Sequence, residues 1–130
     1  FNVMNILGIG IDVVEIKRIK KILKQNRLFE QRIYTKHERK LCLGKKKVNC
    51  YAKKFAAKEA LVKALGTGFR NGINFKNIEI KNDKIGKPFV KLDKIVNLRI
   101  KKKFEVKKFN IFLSISDVTE YAIANIIITK

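Results

Sequence analysis

Hydrophobic positions recur along the chain with two periods, one typical of helices and one typical of strands. Ile16, Ile19 and Leu23 are three or four residues apart and lie among basic residues, which predicts an amphipathic helix. A longer stretch at 48–65 is rich in Ala, Lys and Leu, and the Gly66 that follows it is a residue that commonly ends helices. This stretch therefore predicts a long central helix. Shorter helices are predicted at 36–43 and 94–103.

Apolar and polar residues alternate near the end of the chain. The segment 109–116 places its apolar residues on one side, and the Ile-rich segment 121–129 would pair with it as an antiparallel hairpin. Further strands are predicted at 6–11, 78–81 and 89–92. Gly8 and Gly10 interrupt the first of these strands, which indicates close backbone neighbours. The predicted class is α+β, in one domain that spans 1–130.

The charge of the chain changes the range of possible partners. There are 31 Lys and Arg residues against 11 Asp and Glu, a formal net charge of +20. Such a field attracts polyanions and acidic proteins. Lysine clusters at 45–47 and 101–103 favour a nucleic-acid-binding protein as the second interpretation. Since no RNP or helix-turn-helix pattern and no aromatic stacking platform accompanies them, specific nucleic-acid binding is not expected.

Two further features bear on the compartment. No apolar run approaches the ~18 residues needed to span a bilayer, so no membrane span is expected. Cys42, Cys50 and the single His37 match no structural zinc pattern, and we expect both cysteines to be reduced thiols. The abundance of Lys, Asn, Ile and Phe is typical of an AT-rich coding sequence. Bacterial cytoplasm and a plastid-like organelle are the two compartments that remain open.

One face of the central helix carries candidate chemistry. Four residues of this helix are spaced so that they lie in one stripe: Ala52, Ala56, Glu59 and Lys63. The two small alanines leave space beside the two charged side chains, so this face could flank a ligand. Periodicity alone favours a simpler interpretation. In that interpretation Glu59 and Lys63 form an ordinary surface ion pair, worth about 0.3–0.5 kcal/mol.

Asp12 is the other candidate. It follows the predicted strand 6–11, where a carboxylate often points into a site. It could equally cap the next helix, with Glu15 completing a capping box. If Asp12 and Glu59 met, they would suit Mg²⁺, which is bound by few carboxylates, with water and phosphate oxygens completing its octahedron.

Four motifs occur in order along the chain. They are GIGIDVVEI at 8–16, FAAKEALVKALGTG at 55–68, GKP at 86–88, and SIS at 114–116 with YA at 121–122. Together they resemble the signatures of the holo-acyl-carrier-protein synthases, and the resemblance spans nearly the whole chain. It implies the 4′-phosphopantetheinyl transferase fold, an antiparallel sheet packed against a long helix, in the group that forms homotrimers with active sites between subunits.

The resemblance also implies an activity and a catalytic set. The phosphopantetheine arm of coenzyme A would be transferred to a serine of apo-acyl carrier protein, with release of 3′,5′-ADP, in support of fatty acid biosynthesis. Asp12 and Glu59 would hold Mg²⁺ on the pyrophosphate, and Lys63 would contact the same phosphates. Glu59 is the expected general base, directly or through a metal-bound water. A catalytically dead carrier-binding module is disfavoured because all three residues are present.

Further contacts are implied by the same resemblance. Coenzyme A contacts are expected from Lys45, Lys46, Lys54, Lys63, Gly66, Gly68, Lys87, Pro88 and Ser116. The acidic carrier protein would dock on Arg18, Lys21 and Arg27. Two positions depart from the usual pattern, because Lys54 stands where members often have Arg and Asp117 where many have His. The trimer contact is expected near a strand face, such as Ile111/Leu113 or Ile126/Ile128.

Overall fold

Helices and an antiparallel sheet make up the fold, as the hydrophobic pattern predicts. The computed structural model describes residues 3, 5–69 and 72–130. In chain order the elements are β1 (Ile6–Glu15), α1 (Ile16–Gln25), α2 (Phe29–Ile33), α3 (Lys36–Leu41), α4 (Lys47–Leu65), β2 (Ile78–Asn82), β3 (Pro88–Leu92), α5 (Lys94–Phe104), β4 (Asn110–Asp117) and β5 (Tyr121–Thr129). One-turn 3₁₀ helices precede α4 and β2. No helix in the described part of the chain is long and apolar enough to cross a membrane.

The strands form two antiparallel sheets. The larger has the order β1-β5-β4, and the smaller is the hairpin of β2 and β3. In the larger sheet, Ala124 of β5 is paired with Asp12 of β1 on one side and with Ile115 of β4 on the other. Every β-pairing is antiparallel, so the predicted α+β class is confirmed.

Helix α4 packs on β1 at very short range. A Cβ atom built on Gly10 would lie 1.8 Å from the carbonyl oxygen of Ala60, and one built on Gly8 would lie 2.2 Å from that of Ala64. Only glycine on the strand and small residues on the helix allow this approach. The close neighbours predicted for these glycines are therefore confirmed, and the face of β1 that carries them is directed at α4.

A buried ion pair fixes the other side of α4. The side chains of Lys58 and Glu38 are fully buried, with Lys58 Nζ 2.7 Å from Glu38 Oε1. The same ammonium donates to the carbonyl oxygens of Ile33 at 2.7 Å and Phe75 at 3.1 Å. This pair ties α4 to α2 and α3 at the residue that precedes Glu59.

Three local predictions are wrong. Strand β1 continues to Glu15, so Asp12 lies inside the strand, because pairing with β5 extends it. Asp12 is therefore not a helix cap; Glu15 is the N-cap residue of α1, without a side-chain capping bond. The cysteines are not free thiols. Gly44, at φ 74°, lies in the turn that brings Cys42 to Cys50, and the two form a disulfide with a Cα–Cα distance of 5.4 Å.

The outer face of the larger sheet is apolar and exposed. Exposed fractions are 60 % for Ile9, 56 % for Ile11 and for Val13, 50 % for Phe112 and 38 % for Ile123. The residues expected at a trimer contact lie mostly on the opposite face. Leu113, Ile126 and Ile128 belong to the core, and Ile111 is half-buried. Because side chains alternate along a strand, most of the named residues point into the core and the other set points outward, while the assembly itself stays a prediction.

Candidate active site

Asp12 and Lys63 meet where β1 crosses α4. Lys63 Nζ lies 2.9 Å from Asp12 Oδ1, with side-chain exposures of 53 % and 14 %. Asp12 is two residues beyond Gly10, so it lies on the strand face that approaches the helix. Periodicity favours an ion pair between Glu59 and Lys63. That interpretation is wrong, because among the described residues Lys63 pairs with Asp12 instead.

Glu59 belongs to the same group. Burial raises the pKa of its carboxyl group, and the negative charge of Asp12 raises it further, while Lys63 and Arg18 act in the opposite direction. A cation bound beside Glu59 and Asp12 would counter this unfavourable interaction. No group of three or more His, Cys, Asp or Glu residues suited to a metal occurs in the described ranges. Asp12 and Glu59 alone fit Mg²⁺ only if phosphate and water oxygens complete its shell.

A second cluster lies in a cavity of about 260 Å³ on another side of α4. Its lining residues are Cys50, Lys53, Lys54, Ile80, Asn82, Gly86, Pro88, Ile115 and Asp117. Three distant parts of the sequence therefore meet here: α4, the turn between β2 and β3, and the end of β4. Lys53 and Asn82 were not singled out from the sequence, although one precedes Lys54 and the other opens the turn.

Lys54 is unusual for a lysine in being buried. Its side chain is 6 % exposed, and its Nζ lies 3.4 Å from the carbonyl oxygen of Ile80. Burial lowers the pKa of this ammonium group, and the charge of Glu38 opposes that shift. Asp117 lines the same cavity, where its carboxylate accepts a 3.3 Å hydrogen bond from Asn49. The cavity therefore holds a partly desolvated cation with room for a ligand beside it.

The remaining expected coenzyme A residues are distributed around these two groups. Lys45 and Lys46 are exposed on the 3₁₀ turn before α4, and Lys87 and Ser116 are exposed near the second cavity without lining it. Gly66 ends α4 in a left-handed conformation with φ 72°, and Gly68 has φ 64°. Both glycines lie in the segment that follows Lys63, and the position of a Cβ atom on Gly66 would be 3.4 Å from Lys103 Nζ.

One of the three expected docking residues, Arg18, acts on the first group. Arg18 and Lys21 are exposed on α1, whose buried face carries Ile16 and Ile19, and Arg27 is exposed just beyond the helix. Arg18 is close enough to stabilise the charge of Glu59. The exposed basic face of α1 therefore includes one residue whose charge favours the ionised form of Glu59.

Known proteins resemble this chain over nearly its full length. A model of the 4′-phosphopantetheinyl transferase superfamily matches residues 8–125. The holo-[acyl-carrier-protein] synthase of Pelagibacter ubique is 51% identical over an alignment of 131 positions that covers 98% of this chain and 99% of that relative.

Solved structures agree with the sequence relatives. The synthase of Neisseria meningitidis has a TM-score of 0.83 at 36% identity, covering 97% of this chain and 100% of that one. The synthase of Bacillus anthracis in complex with CoA (3′,5′-ADP) has a TM-score of 0.79 at 35% identity, covering 98% and 99%. The chain belongs to the 4′-phosphopantetheinyl transferase superfamily, in its holo-acyl-carrier-protein synthase group.

Proposed function

We propose that this protein transfers the 4′-phosphopantetheine group of coenzyme A to a serine of apo-acyl carrier protein and releases 3′,5′-ADP. The observation that carries the proposal is the convergence of Asp12, Glu59 and Lys63 from β1 and α4. Phosphoryl transfer needs positioning and charge neutralisation more than covalent chemistry from the protein. Two carboxylates and an ammonium in one place supply groups for both needs. The product would support fatty acid synthesis, and the bacterial relatives favour bacterial cytoplasm as the compartment.

The three residues have separate roles in this proposal. Asp12 and Glu59 hold Mg²⁺, which when bound neutralises charge on the pyrophosphate. Lys63 donates to the phosphate oxygens once it exchanges its Asp12 partner for the substrate. Glu59 is also the proton acceptor for the attacking serine in this proposal, directly or through a water molecule, because its carboxylate would lie beside the phosphate that the serine attacks.

A complete site requires two copies of the chain. Lys54 and Lys63 are nine residues apart on α4, which places them on opposite sides, about 180° around the helix and about 14 Å along it. Because the helix lies between these two groups, a single coenzyme A molecule cannot contact both of them on the same subunit. We therefore assign the 3′-phosphate to Lys54 and its cavity on one subunit, with the pyrophosphate at Asp12, Glu59 and Lys63 of the next.

The outer face of the larger sheet is the surface we assign to this assembly. Ile9, Ile11, Val13, Phe112 and Ile123 form one contiguous apolar patch on three adjacent strands. Large exposed apolar patches are typical of protein–protein contacts. A head-to-tail contact, in which one part of this face meets a different part on the next copy, can close into a ring, and a homotrimer is the ring we propose.

The acidic carrier protein docks on α1 in this proposal. Arg18, Lys21 and Arg27 supply the positive charge, and the influence of Arg18 on Glu59 supports delivery of the carrier serine to the carboxylates. Charged contacts of this kind set association rate and specificity. Arg18→Glu should therefore raise KM for the carrier, while KM for coenzyme A changes little.

The activity is tested by mass spectrometry of apo-acyl carrier protein incubated with this chain, coenzyme A and Mg²⁺. We expect the carrier to gain the mass of phosphopantetheine. Asp12→Asn and Glu59→Gln should each reduce turnover by about a hundredfold or more, the scale of losing a strong electrostatic contributor. Glu105→Gln, at an exposed carboxylate just after α5, is the matched control. Near wild-type turnover in either carboxylate variant would contradict the site.

The shared site is tested by mixing two inactive variants. Glu59→Gln and Lys54→Ala should each be inactive alone, because each spoils every site. If the variants are unfolded and refolded together at equal amounts, about a quarter of the sites combine an intact Glu59 with an intact Lys54 across a subunit contact. Recovery to about a quarter of wild-type turnover supports the assignment. No recovery, in heteromers verified by mass, refutes it while leaving the activity itself unaffected.

A further inference from the structure

We propose that the Cys42–Cys50 disulfide is a redox site that controls how tightly the cavity around Lys54 binds coenzyme A. The disulfide joins the end of α3 to the first turn of α4, with a Cα–Cα distance of 5.4 Å. Cys50 also lines the cavity of about 260 Å³, together with Lys54, and we call this space the Lys54 cavity. The inference rests on the proposed function, because it concerns the affinity of the site assigned to the 3′-phosphate.

The two cysteines of the disulfide differ in their exposure. Cys42 is fully buried, whereas Cys50 is half-buried and lines the Lys54 cavity. A small thiol therefore reaches the disulfide through the cavity, from the Cys50 side. Among the lining residues Lys53 and Lys54 outnumber the single carboxylate, Asp117, so the cavity attracts anions. The reagent that fits is a low-molecular-weight thiol with negative charge, which reacts as its thiolate.

Reduction of the disulfide proceeds by two thiol–disulfide exchanges. In the first, the incoming thiolate attacks Cys50 Sγ, the bond between the protein sulfurs breaks, and Cys42 leaves as a thiolate that takes up a proton. In the second, another thiolate attacks the reagent sulfur of the mixed disulfide and releases Cys50, which is protonated in turn. Two reagent thiols are thereby oxidised to one disulfide. Disulfides of reducing compartments are usually transient and either catalytic or redox-sensing, which agrees with the proposed bacterial cytoplasm.

The chain between the two cysteines has little buried surface to hold it. Residues 43–46 are all exposed, and Lys45 and Lys46 belong to the 3₁₀ turn in this segment. An exposed segment with few buried contacts opens locally at a low cost in free energy. The covalent link therefore restricts two lysines that are expected to contact coenzyme A.

The first turn of α4 connects this segment to the Lys54 cavity. Asn49 Nδ2 lies 3.3 Å from Asp117 Oδ2, and Asp117 lines the cavity. The N–H groups of a first helical turn have no partners within the helix, so this turn opens more readily once the disulfide is broken. Tyr51 limits the opening, because it is fully buried and its hydroxyl donates to Glu30. Reduction should therefore loosen the wall of the cavity without unfolding α4.

The carboxylate group should be insensitive to this change. Glu59 is nine residues beyond Cys50, about 14 Å along α4. We therefore expect reduction to raise KM for coenzyme A about tenfold, the scale of losing one hydrogen bond to a charged group. The value of kcat and KM for the carrier should stay close to those of the oxidised protein. A disulfide that only stabilised the whole fold would not separate KM from kcat in this way.

The test compares oxidised and reduced wild-type protein, so it does not depend on a substitution that could prevent folding. Reduction with tris(2-carboxyethyl)phosphine is verified by alkylation and mass, which should count no thiols before and two after. Calorimetric titration with 3′,5′-ADP, which has no thiol of its own, should show about tenfold weaker binding to the reduced form. Brief alkylation of the reduced form should label Cys50 before Cys42.

The class of thiol is tested with glutathione, which is anionic, and cysteamine, which is cationic. Each rate of reduction is divided by the rate of the same thiol with a small neutral disulfide. Glutathione should be the faster reagent on this scale, because the Lys54 cavity attracts anions. Equal scaled rates would overturn the role of the lysines in admitting the reagent.

Two variants separate the switch from other effects of reductant. Cys42→Ala/Cys50→Ala should bind 3′,5′-ADP as the reduced wild type does and should not respond to reductant. Lys45→Gln/Lys46→Gln removes the charges that the disulfide restricts, so reduction should change its affinity less than that of the wild type. An effect of reduction that is equal in this variant and the wild type would overturn the role of the lysine turn.

Further outcomes decide the inference itself. Equal affinity of the oxidised and reduced wild type for 3′,5′-ADP would overturn it, as would a response of the alanine variant to reductant. Global unfolding on reduction, seen by circular dichroism, would overturn it as well, because the disulfide would then be purely structural. Redox-dependent binding of 3′,5′-ADP by a protein that transfers nothing to the carrier would support the switch and contradict the proposed activity.

Discussion

Replacement of Lys58 by Met tests whether the buried ion pair positions the active helix. The ammonium group of Lys58 has three acceptors, namely Glu38 and the carbonyl oxygens of Ile33 and Phe75. Methionine fills similar space but satisfies none of them. The carboxylate of Glu38 is then left in the core without its counter-charge, and two carbonyl oxygens lose a donor.

The magnitude follows from what remains around Glu38. Removing one partner of a fully buried pair costs about 3–5 kcal/mol. Glu38 keeps backbone donors from Thr35 and Ile80, each at 2.8 Å, so we expect the lower end, about 3 kcal/mol. Unfolding entropy is about 2.1 cal/mol/K per residue, or about 0.27 kcal/mol/K for 130 residues, so Tm should fall by about 11 °C.

The assay is thermal melting by circular dichroism, with urea denaturation to obtain the free energy of unfolding. Lys58→Met/Glu38→Gln removes both charges and should recover much of the loss, because no uncompensated anion remains. Lys84→Met is an exposed control and should change stability by less than about 0.5 kcal/mol. A Lys58→Met protein that melts within about 2 °C of the wild type would refute the reasoning. So would a double variant that is less stable than the single one.

Three further predictions concern stability around the site. In metal-free buffer at neutral pH, Glu59→Gln should raise Tm, because burial and Asp12 disfavour the ionised carboxylate. The pKa of Glu59 in the folded protein is raised above its ordinary value of 4.5, so the wild type should lose stability relative to the variant as pH rises above 4.5. Below pH 4.5 the difference in Tm should vanish. Thermal melts from acid to neutral pH measure this difference. Gly10→Ala should cost about 3 kcal/mol in urea denaturation, because its Cβ would lie 1.8 Å from the Ala60 oxygen. Reduction of the Cys42–Cys50 disulfide, which closes a separation of 8 residues, should cost about 2.5 kcal/mol in the same assay.

Each of these predictions has a result that contradicts it. A Glu59→Gln protein with the same Tm difference at every pH would show that the carboxyl pKa is not raised in the fold. Gly10→Ala with wild-type stability would mean that β1 does not approach α4 so closely. A Cys42→Ala/Cys50→Ala variant should be insensitive to reductant, and equal sensitivity would place the effect elsewhere.

The strongest periodic segments were predictable from sequence, and the weak ones were not. The long helix was predicted at 48–65 and is found at Lys47–Leu65, and the strand Tyr121–Thr129 was predicted with its observed bounds. The extension of β1 through Asp12 was missed, because Asp has low strand propensity and only pairing with β5 overrides it. Helix α2 was missed because it is only 5 residues long, too short for periodicity to detect.

For the candidate site, the sequence named three residues that the structure brings together, but it did not give their partners. Asp12, Glu59 and Lys63 were all named, but the partner of Lys63 depends on how closely β1 packs, which no local pattern encodes. The disulfide was missed because eight residues of sequence do not show that the intervening turn reverses the chain. The burial of Lys54 is likewise a property of tertiary packing, since an amphipathic pattern places lysine in solvent.

The composition of α4 follows from the two requirements placed on it. Its carboxylate side must approach β1 closely enough for Asp12 to reach Lys63, and this approach demands Gly10 on the strand and Ala60 on the helix. Small residues bury little apolar area, so this contact alone holds the helix weakly. Lys58, on the adjacent turn of α4, compensates for this weak contact, because its ammonium group donates hydrogen bonds to three other segments of the chain. A directional anchor also fixes the rotation of the helix, which an apolar contact does not, and the rotation of α4 decides where the side chain of the next residue, Glu59, points.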